Sequence, residues 1–364
     1  MRKKMLLIST AFFIASFGMF YLFLKEESVK RFAVEGFIEK WLKNNNGTIA
    51  TYIQDGELED DDLVKGREAL SETLGLWMEY SLLKEDQALF EDAYTQLKRY
   101  FLDQNGFVYW KLTESGKKEV STNALVDDLR ISRALFQAGE KWKDDRYDQT
   151  AKKISKYIVK HNLYEMSLTD FYDKKIGDGS KVITLSYIEP DSLKQMEKQG
   201  VMDKKLMNSM FGILKNAPVS GAFFPKSYNV EKKEYQYDQN VNLVDQSLVA
   251  YYREKNGYST KAFNQFVKRE IKKHGVIYGQ YDRTTGQPIV EYESPAIYAW
   301  IILYCLELND KELAKIMFEE MAKFQTKDSE YYGGYSIYKE DTHIFDNLVP
   351  LLAEREMYNR KIIQ

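Results

Sequence analysis

The chain has 364 residues, 44% of them hydrophobic and 29% charged, with a formal net charge of −3 and a pI near 5.9. That balance leaves no electrostatic footprint for nucleic acid, and a single cysteine, Cys305, excludes a disulfide framework or a cysteine zinc site within the chain. The histidines His161, His274 and His343 form no ligand motif, so no metal or cofactor is expected, whereas 27 Tyr, 20 Phe and 5 Trp suit a wet groove lined with flat rings.

Arg2, Lys3 and Lys4 precede an uncharged run from Met5 to Leu24. As a helix this run spans roughly 30 Å, one hydrocarbon core, and the positive flank keeps the amino terminus cytoplasmic. It ends in the bulky Phe20-Tyr21-Leu22-Phe23-Leu24, where a cleaved signal peptide has a small-x-small site, and no lipobox cysteine follows. The sequence therefore predicts a signal anchor over residues 1–27, retained as one transmembrane helix in the cell membrane. Residues 28–364 then fold outside the cell as one domain. The alternative is a cleaved signal and a secreted protein.

The remaining chain reads mainly as helices. An amphipathic helix is expected over Ser28–Lys43, ended by Asn44-Asn45-Asn46-Gly47. Glu57, Glu59, Asp60, Asp61 and Asp62 make an acidic run that reads as a solvated loop rather than a calcium site. Helices follow at 69–83, 86–102, 123–142, 147–161, from Pro190, at 204–215, 241–255, 260–273, 295–308, 311–324 and 344–357, the last bent or shortened by Pro350. Between them lie a short aromatic strand, Gly106–Leu112, strand-like stretches at 163–172, 181–188 and 222–237, a hairpin from Val276 to Val290, and the Tyr332-Gly333-Gly334-Tyr335 loop. A helix pair of ~35 to 40 residues followed by a glycine-aromatic loop recurs at Gly106, Gly275 and Gly333. Eleven or twelve such helices can close into an all-α ring of six hairpins, an (α/α)6 toroid, with every decorated loop on one rim.

Three acids sit near helix starts on the apolar face. Asp245 has Val241, Leu248, Val249 and Tyr252 at −4, +3, +4 and +7, and Asp128 has Ala124, Ile131, Ser132 and Leu135 in the same relation. Glu72 stands in an uncharged stretch from Ala69 to Met78. It reads either as a first-turn acid favoured by the helix dipole or as a carboxyl kept apolar enough to donate a proton. Asp127 can pair with Arg130 or Arg133 and reads as structural. Convergence of the three on one groove supplies the two carboxylates of glycoside hydrolysis.

Five segments resemble the motifs of glycoside hydrolase family 8. Ser71-Glu72-Thr73-Leu74-Gly75-Leu76-Trp77-Met78 resembles its Ser-Glu-Gly-x-Gly-Tyr-Gly-Met signature, and Val126-Asp127-Asp128-Leu129-Arg130-Ile131 its Asp-Ala-Asp-Leu-Asp-Ile. Leu185-Ser186-Tyr187-Ile188-Glu189-Pro190 is similar to its Ser-Tyr-Phe-x-Pro, and Gly221-Ala222-Phe223-Phe224-Pro225 to the segment before its Pro-Asp-Trp. Leu243-Val244-Asp245-Gln246-Ser247 stands where the family has Tyr-Asp-Ala-x-Arg, and the order agrees from about Glu35 onward. The resemblance implies the toroid and inverting endo-hydrolysis of a β-linked polysaccharide, with Glu72 as general acid, Asp245 as general base and Asp128 on the sugar. The membrane-anchored Gram-positive branch found in exopolysaccharide operons looks nearest, which implies a secreted polysaccharide as substrate. It also brings in the polysaccharide synthesis and export machinery as a partner, with a monomer expected.

The departures are Thr73 after the acid, Val126 and Arg130 for two Asp, Val244 before the base and Leu248 three residues after it. They argue against ordinary cellulose and leave Asp238 as an alternative base. Tyr109, Trp110, Tyr187, Tyr278 and Tyr332 are the candidate rings for sugar stacking, although each also fits packing between helices. The competing functions are a non-catalytic carbohydrate-binding or export-assisting protein on the same fold, and a toroid acting on unsaturated uronides.

Overall fold

The computed structural model describes residues 30–56, 59, 63–327 and 330–364. The expected anchor, residues 1–27, and most of the acidic run after Gly56 lie outside the described residues. Within them no helix is long and apolar enough to cross a membrane. Twelve α-helices appear there in chain order. They are α1 (Ala33–Phe37), α2 (Ser71–Lys84), α3 (Gln87–Gln96), α4 (Leu125–Trp142), α5 (Asp145–His161) and α6 (Pro190–Lys198), followed by α7 (Lys204–Asn216), α8 (Leu243–Lys255), α9 (Lys261–His274), α10 (Pro295–Glu307), α11 (Lys311–Ala322) and α12 (Phe345–Asn359).

Side-chain pattern sorts the helices into two rings. Every residue of α10 from Pro295 to Leu306 is uncharged and buried, and α2 and α4 are buried along most of their length. A helix apolar on all sides belongs inside. By contrast α5 buries one stripe, Tyr147, Ala151, Ile154 and Ile158, and α7 and α9 do the same, so they lie outside. The inner ring runs α2 on α4, α4 on α6, α8 on α10, α10 on α12, and α12 back on α2. Between α6 and α8 the 3-10 turn Leu185–Tyr187 packs on α8, and Lys255 reaches Asp191 at 2.5 Å. α12 packs on α1, so the first outer helix completes the last hairpin and the ring closes as the expected toroid. Glu35 fastens that seam inside the protein, accepting from Lys84 Nζ at 2.7 Å and Tyr80 OH at 2.5 Å.

The inner helices and their caps line a pocket of about 430 Å³. It holds Glu79, Arg130, Arg133, Glu189, Lys255 and Glu356. Arg133 bridges Glu79 at 3.0 Å and Glu189 at 3.4 Å. Unpaired, such charges would be too costly to bury; here they are paired with one another.

Several boundaries differ from the sequence reading. The first helix splits into α1 and a wider turn, Ile38–Leu42, and a similar turn, Leu97–Phe101, ends α3. The aromatic strand shrinks to Lys111–Leu112, paired with Ala69–Leu70, because a strand extends only where a partner backbone runs beside it. Gln280–Asp282 pairs mainly with Asn240–Asn242 rather than within its own hairpin, where Tyr281 and Pro288 make a single bridge. Proline cannot donate to a ladder, which is why that hairpin stays open. Pro350 lies inside α12 without ending it.

Glu354 on α12 gives a stability prediction. Its carboxyl is 5% exposed and accepts from Tyr335 OH at 2.6 Å, and burial pushes its pKa up to about 7. Between the ordinary carboxylate range and about 7 the folded state holds a proton that the unfolded chain has released. Folding stability from this group is therefore full at low pH and is lost as pH rises through that window, by up to about 3 kcal/mol. Glu354→Gln keeps an acceptor for Tyr335 and is expected to flatten this loss, as urea unfolding at pH 5 and pH 7.5 measures. An equal pH slope in parent and variant would show that Glu354 does not carry it.

Candidate active site

The open face of the ring holds a cleft of about 1220 Å³, lined by Tyr52, Glu72, Val126, Arg130, Ser186, Tyr187, Lys226, Asn242, Val244, Asp245, Leu248, His343, Phe345 and Asp346. Glu72, Val126, Asp245 and Asp346 stand in the first turns of α2, α4, α8 and α12. Helix amino ends carry partial positive charge and favour acids in their first turn. Four helix heads thus present to one volume.

Glu72 is the second residue of α2 and half-buried. The chain is fixed just before it. Ser71 N–H donates to the Trp110 carbonyl at 2.9 Å, and Ser71 Oγ donates to Asp127 Oδ2 at 2.8 Å. Gly75 lets α4 approach, since a Cβ there would stand 3.2 Å from Arg130 Cδ and 3.3 Å from Ile131 Cγ1. Arg130 reaches past this gap to Asp127 Oδ1 at 3.4 Å and lies in the field of Glu72 and Glu79. Its charge persists despite burial because these acids surround it.

Asp245 is held on both oxygens. Ser186 Oγ donates to Oδ1 at 2.8 Å, and the Lys226 ammonium pairs with Oδ2. Asn242 caps α8 by accepting from Val244 N–H at 2.8 Å, which sets the helix start two residues before Asp245. Behind it, Asp170 accepts from Thr184 N–H at 2.7 Å and Thr184 Oγ1 at 2.8 Å; burial pushes the Asp170 pKa up to about 6. Burial, together with Asp127, Asp170, Glu72 and Asp245, keeps the Tyr187 phenol neutral and well above its ordinary pKa. Tyr187 therefore enters the cleft as a hydrogen-bonding group, not a charge.

At the head of α12, Ser294 Oγ donates to Asp346 Oδ1 at 2.6 Å, and burial raises the Asp346 pKa. The ring of His343 meets Tyr52 edge-on at 4.9 Å, and its Nδ1 accepts from Phe345 N–H at 3.0 Å. With Nδ1 an acceptor, the neutral ring carries its proton on Nε2.

Glu72, Asp245 and Tyr187 thus come together as expected from the sequence. Asp128 does not join them. Its carboxyl is 1% exposed, accepts from Asn123 Nδ2 at 2.7 Å, and burial keeps its pKa well above the usual range. Val126, two residues earlier, faces the cleft instead. Trp110 meets Ser71, the residue before Glu72, through its backbone carbonyl, with Lys111 Nζ 5.3 Å from its ring. Tyr109 lies beyond it, its hydroxyl on Lys174 and the Lys118 ammonium 4.8 Å from its ring. Tyr278 packs beside His274 and Tyr281 near the end of α9. Tyr332 lies next to α1, in a separate depression with Phe32 and Trp41. Neither lines the cleft, and neither does Asp238, which is exposed.

Arg130, Lys226, Tyr52, His343, Phe345 and Asp346 line the cleft without having been singled out as site residues. Asp346 had a signal: Thr342, Val349, Pro350 and Ala353 flank it as Val241, Leu248, Val249 and Tyr252 flank Asp245. Lys226 had none, because its partner lies nineteen residues on, across a three-stranded sheet.

The model of the family described as glycosyl hydrolases family 8 matches residues 41–258. Over 333 residues, 91% of this chain and 88% of the other, the sequence is 38% identical to a Bacillus subtilis (strain 168) protein named as a lipoprotein, YdaJ. Among solved structures the fold is similar to an α-amylase from Clostridium perfringens, at TM-score 0.80 and 26% identity over 89% of this chain and 96% of that one. It is also similar to PssZ from Listeria monocytogenes, at TM-score 0.73 and 26% identity over 88% and 94%.

Proposed function

The chain belongs to the glycosyl hydrolases of family 8, and from that premise we propose an endo-acting glycosidase that cleaves a secreted exopolysaccharide with inversion at the anomeric carbon. The observation that carries this reading is the placement of Glu72 and Asp245 in one open cleft, at the heads of α2 and α8. Glu72 acts as the general acid toward the leaving oxygen. Asp245 acts as the base toward water on the other face of the sugar. Tyr187 and Arg130 contribute hydrogen bonds to the same volume. Val126 offers no carboxylate to the sugar, consistent with a substrate other than ordinary cellulose. The uncharged run Met5–Leu24 tethers the enzyme to the membrane with its catalytic domain outside the cell; the chain's one cysteine, Cys305, is buried in α10.

A second reading is favoured by the similarity to the Clostridium perfringens enzyme, which its description calls an α-amylase. On that reading the glycan is α-linked. Incubating the protein with the organism's own exopolysaccharide, carboxymethylcellulose and soluble starch separates the cases. New reducing ends from the exopolysaccharide are expected. Cleavage of starch alone would favour the α-linked glucan. Tight binding without new reducing ends from any of the three would replace the enzyme with a binding protein.

A further inference from the structure

Lys226 is the cation that pairs with Asp245 in the cleft. Its backbone is fixed, since its N–H donates to the Gln236 carbonyl and its own carbonyl accepts from Leu185 N–H, each at 2.9 Å. Its side chain is 38% exposed, so the ammonium reaches the carboxylate from the solvent side. Asp245 is the partner it touches, while Asp238 and Asp170 add to the negative field around it. Asp245 in turn shares its surroundings with the Tyr187 phenol and, within the cleft, with Glu72, Arg130, His343 and Asp346. Three of those neighbours are themselves acids or phenols, and crowding of that kind favours protonation of any one carboxyl. A base that takes on a proton can no longer accept one from water.

We propose that Lys226 is a positioning residue for Asp245: together with Ser186 it fixes the orientation of the carboxylate and keeps it charged in a cleft crowded with acids. The inference rests on the reading of Asp245 as general base. Burial works against the charge on Lys226, but Asp245, Asp238 and Asp170 outweigh it and hold the ammonium above its ordinary pKa. Its contact is with the carboxylate of Asp245, so its removal is expected to act through Asp245.

The test uses the full chain and compares Lys226→Met with Lys226→Arg. Aspartate Cγ is labelled with carbon-13, and the resonance that disappears in Asp245→Asn identifies the carboxylate. Its titration is expected to move up by about 1 to 2 pH units in Lys226→Met, as the loss of an adjacent opposite charge requires. In Lys226→Arg it is expected to stay close to the parent. In parallel, the acidic limb of kcat/KM is measured on whichever of the exopolysaccharide, carboxymethylcellulose and soluble starch the parent cleaves. It is expected to move by the same amount, with recovery in Lys226→Arg. An unchanged Asp245 titration in Lys226→Met overturns the proposal. A shifted titration with an unmoved acidic limb overturns it too, because Asp245 is then not the group that limits hydrolysis. If the parent cleaves none of the three polymers, the glycosidase reading fails, and the carbon-13 titration still decides whether Lys226 holds Asp245 charged.

Discussion

Glu72→Gln is expected to reduce hydrolysis by ~10²- to 10⁴-fold, the usual contribution of a positioned general acid, and by more where the leaving group is a poor one. The change is nearly isosteric. Glutamine can accept and donate hydrogen bonds in the same place, and helix α2 starts at Ser71 whether or not the next side chain is charged. The supports around position 72 are also independent of its charge: Ser71 is held by the Trp110 carbonyl and Asp127, and Gly75 sets the spacing to α4. The transferable proton is lost, together with one of the acids that face Arg130, whose other partners Asp127 and Glu79 remain. The melting temperature and the affinity for polysaccharide are therefore expected to stay near those of the parent while reducing-end release collapses. A variant that keeps activity within about twofold would remove Glu72 from the mechanism. A variant that loses activity together with its cooperative unfolding transition would show that Glu72 serves the fold, the plainer of the two readings its sequence context allows.

Helix content and pairing were legible in the sequence because they depend on local periodicity, whereas closure and the order of the ring depend on packing. The uncharged stretch Pro295–Leu306 can only be an inner helix, and the stripe Tyr147, Ala151, Ile154, Ile158 can only be an outer one. Within the site, Glu72, Tyr187 and Asp245 were legible because each lies in a short motif whose neighbours are also in place. Asp128 shows where that logic stops. Its flanking residues match those of Asp245, yet its carboxyl faces Asn123 rather than the cleft. Both lie in the first turns of their helices, but Asp128 is the fourth residue of α4 and Asp245 the third of α8, and one residue rotates a side chain by about 100°. Sequence spacing gives an apolar face without saying which neighbour that face meets. Lys226 and His343 lie on loops, where no period reports direction. Tyr332 carried a plausible aromatic signal, but its loop folds back on α1, beside Trp41 and its neighbour Tyr331.

Asp245→Asn is expected to be as damaging as Glu72→Gln, again ~10²- to 10⁴-fold, because the attacking water then has no acceptor for its proton. The amide also cannot form the ion pair with Lys226, so the base and its support are lost in one change. Asp238 supplies the control. It is exposed and outside the cleft lining, though close enough to act on Lys226, and Asp238→Asn is expected to remain active. If Asp238→Asn is inactive and Asp245→Asn is not, the base lies one loop away from its proposed place. Stereochemistry tests the pairing of the two carboxylates independently of either substitution. Inversion needs room for a water beside the base, which corresponds to carboxyl groups roughly 6.5 to 9.5 Å apart, whereas a retaining pair stands roughly 5 to 5.5 Å apart and attacks the sugar directly. Asp245 is bound on one oxygen by Ser186 and on the other by Lys226, and the proposed role asks it to accept a proton from water there. The first product seen by proton NMR should therefore carry the anomeric configuration opposite to the bond cleaved, α from a β-linked exopolysaccharide. A first product that keeps the configuration of the substrate would require a covalent glycosyl-enzyme, and with it a nucleophile where this cleft is proposed to hold a base.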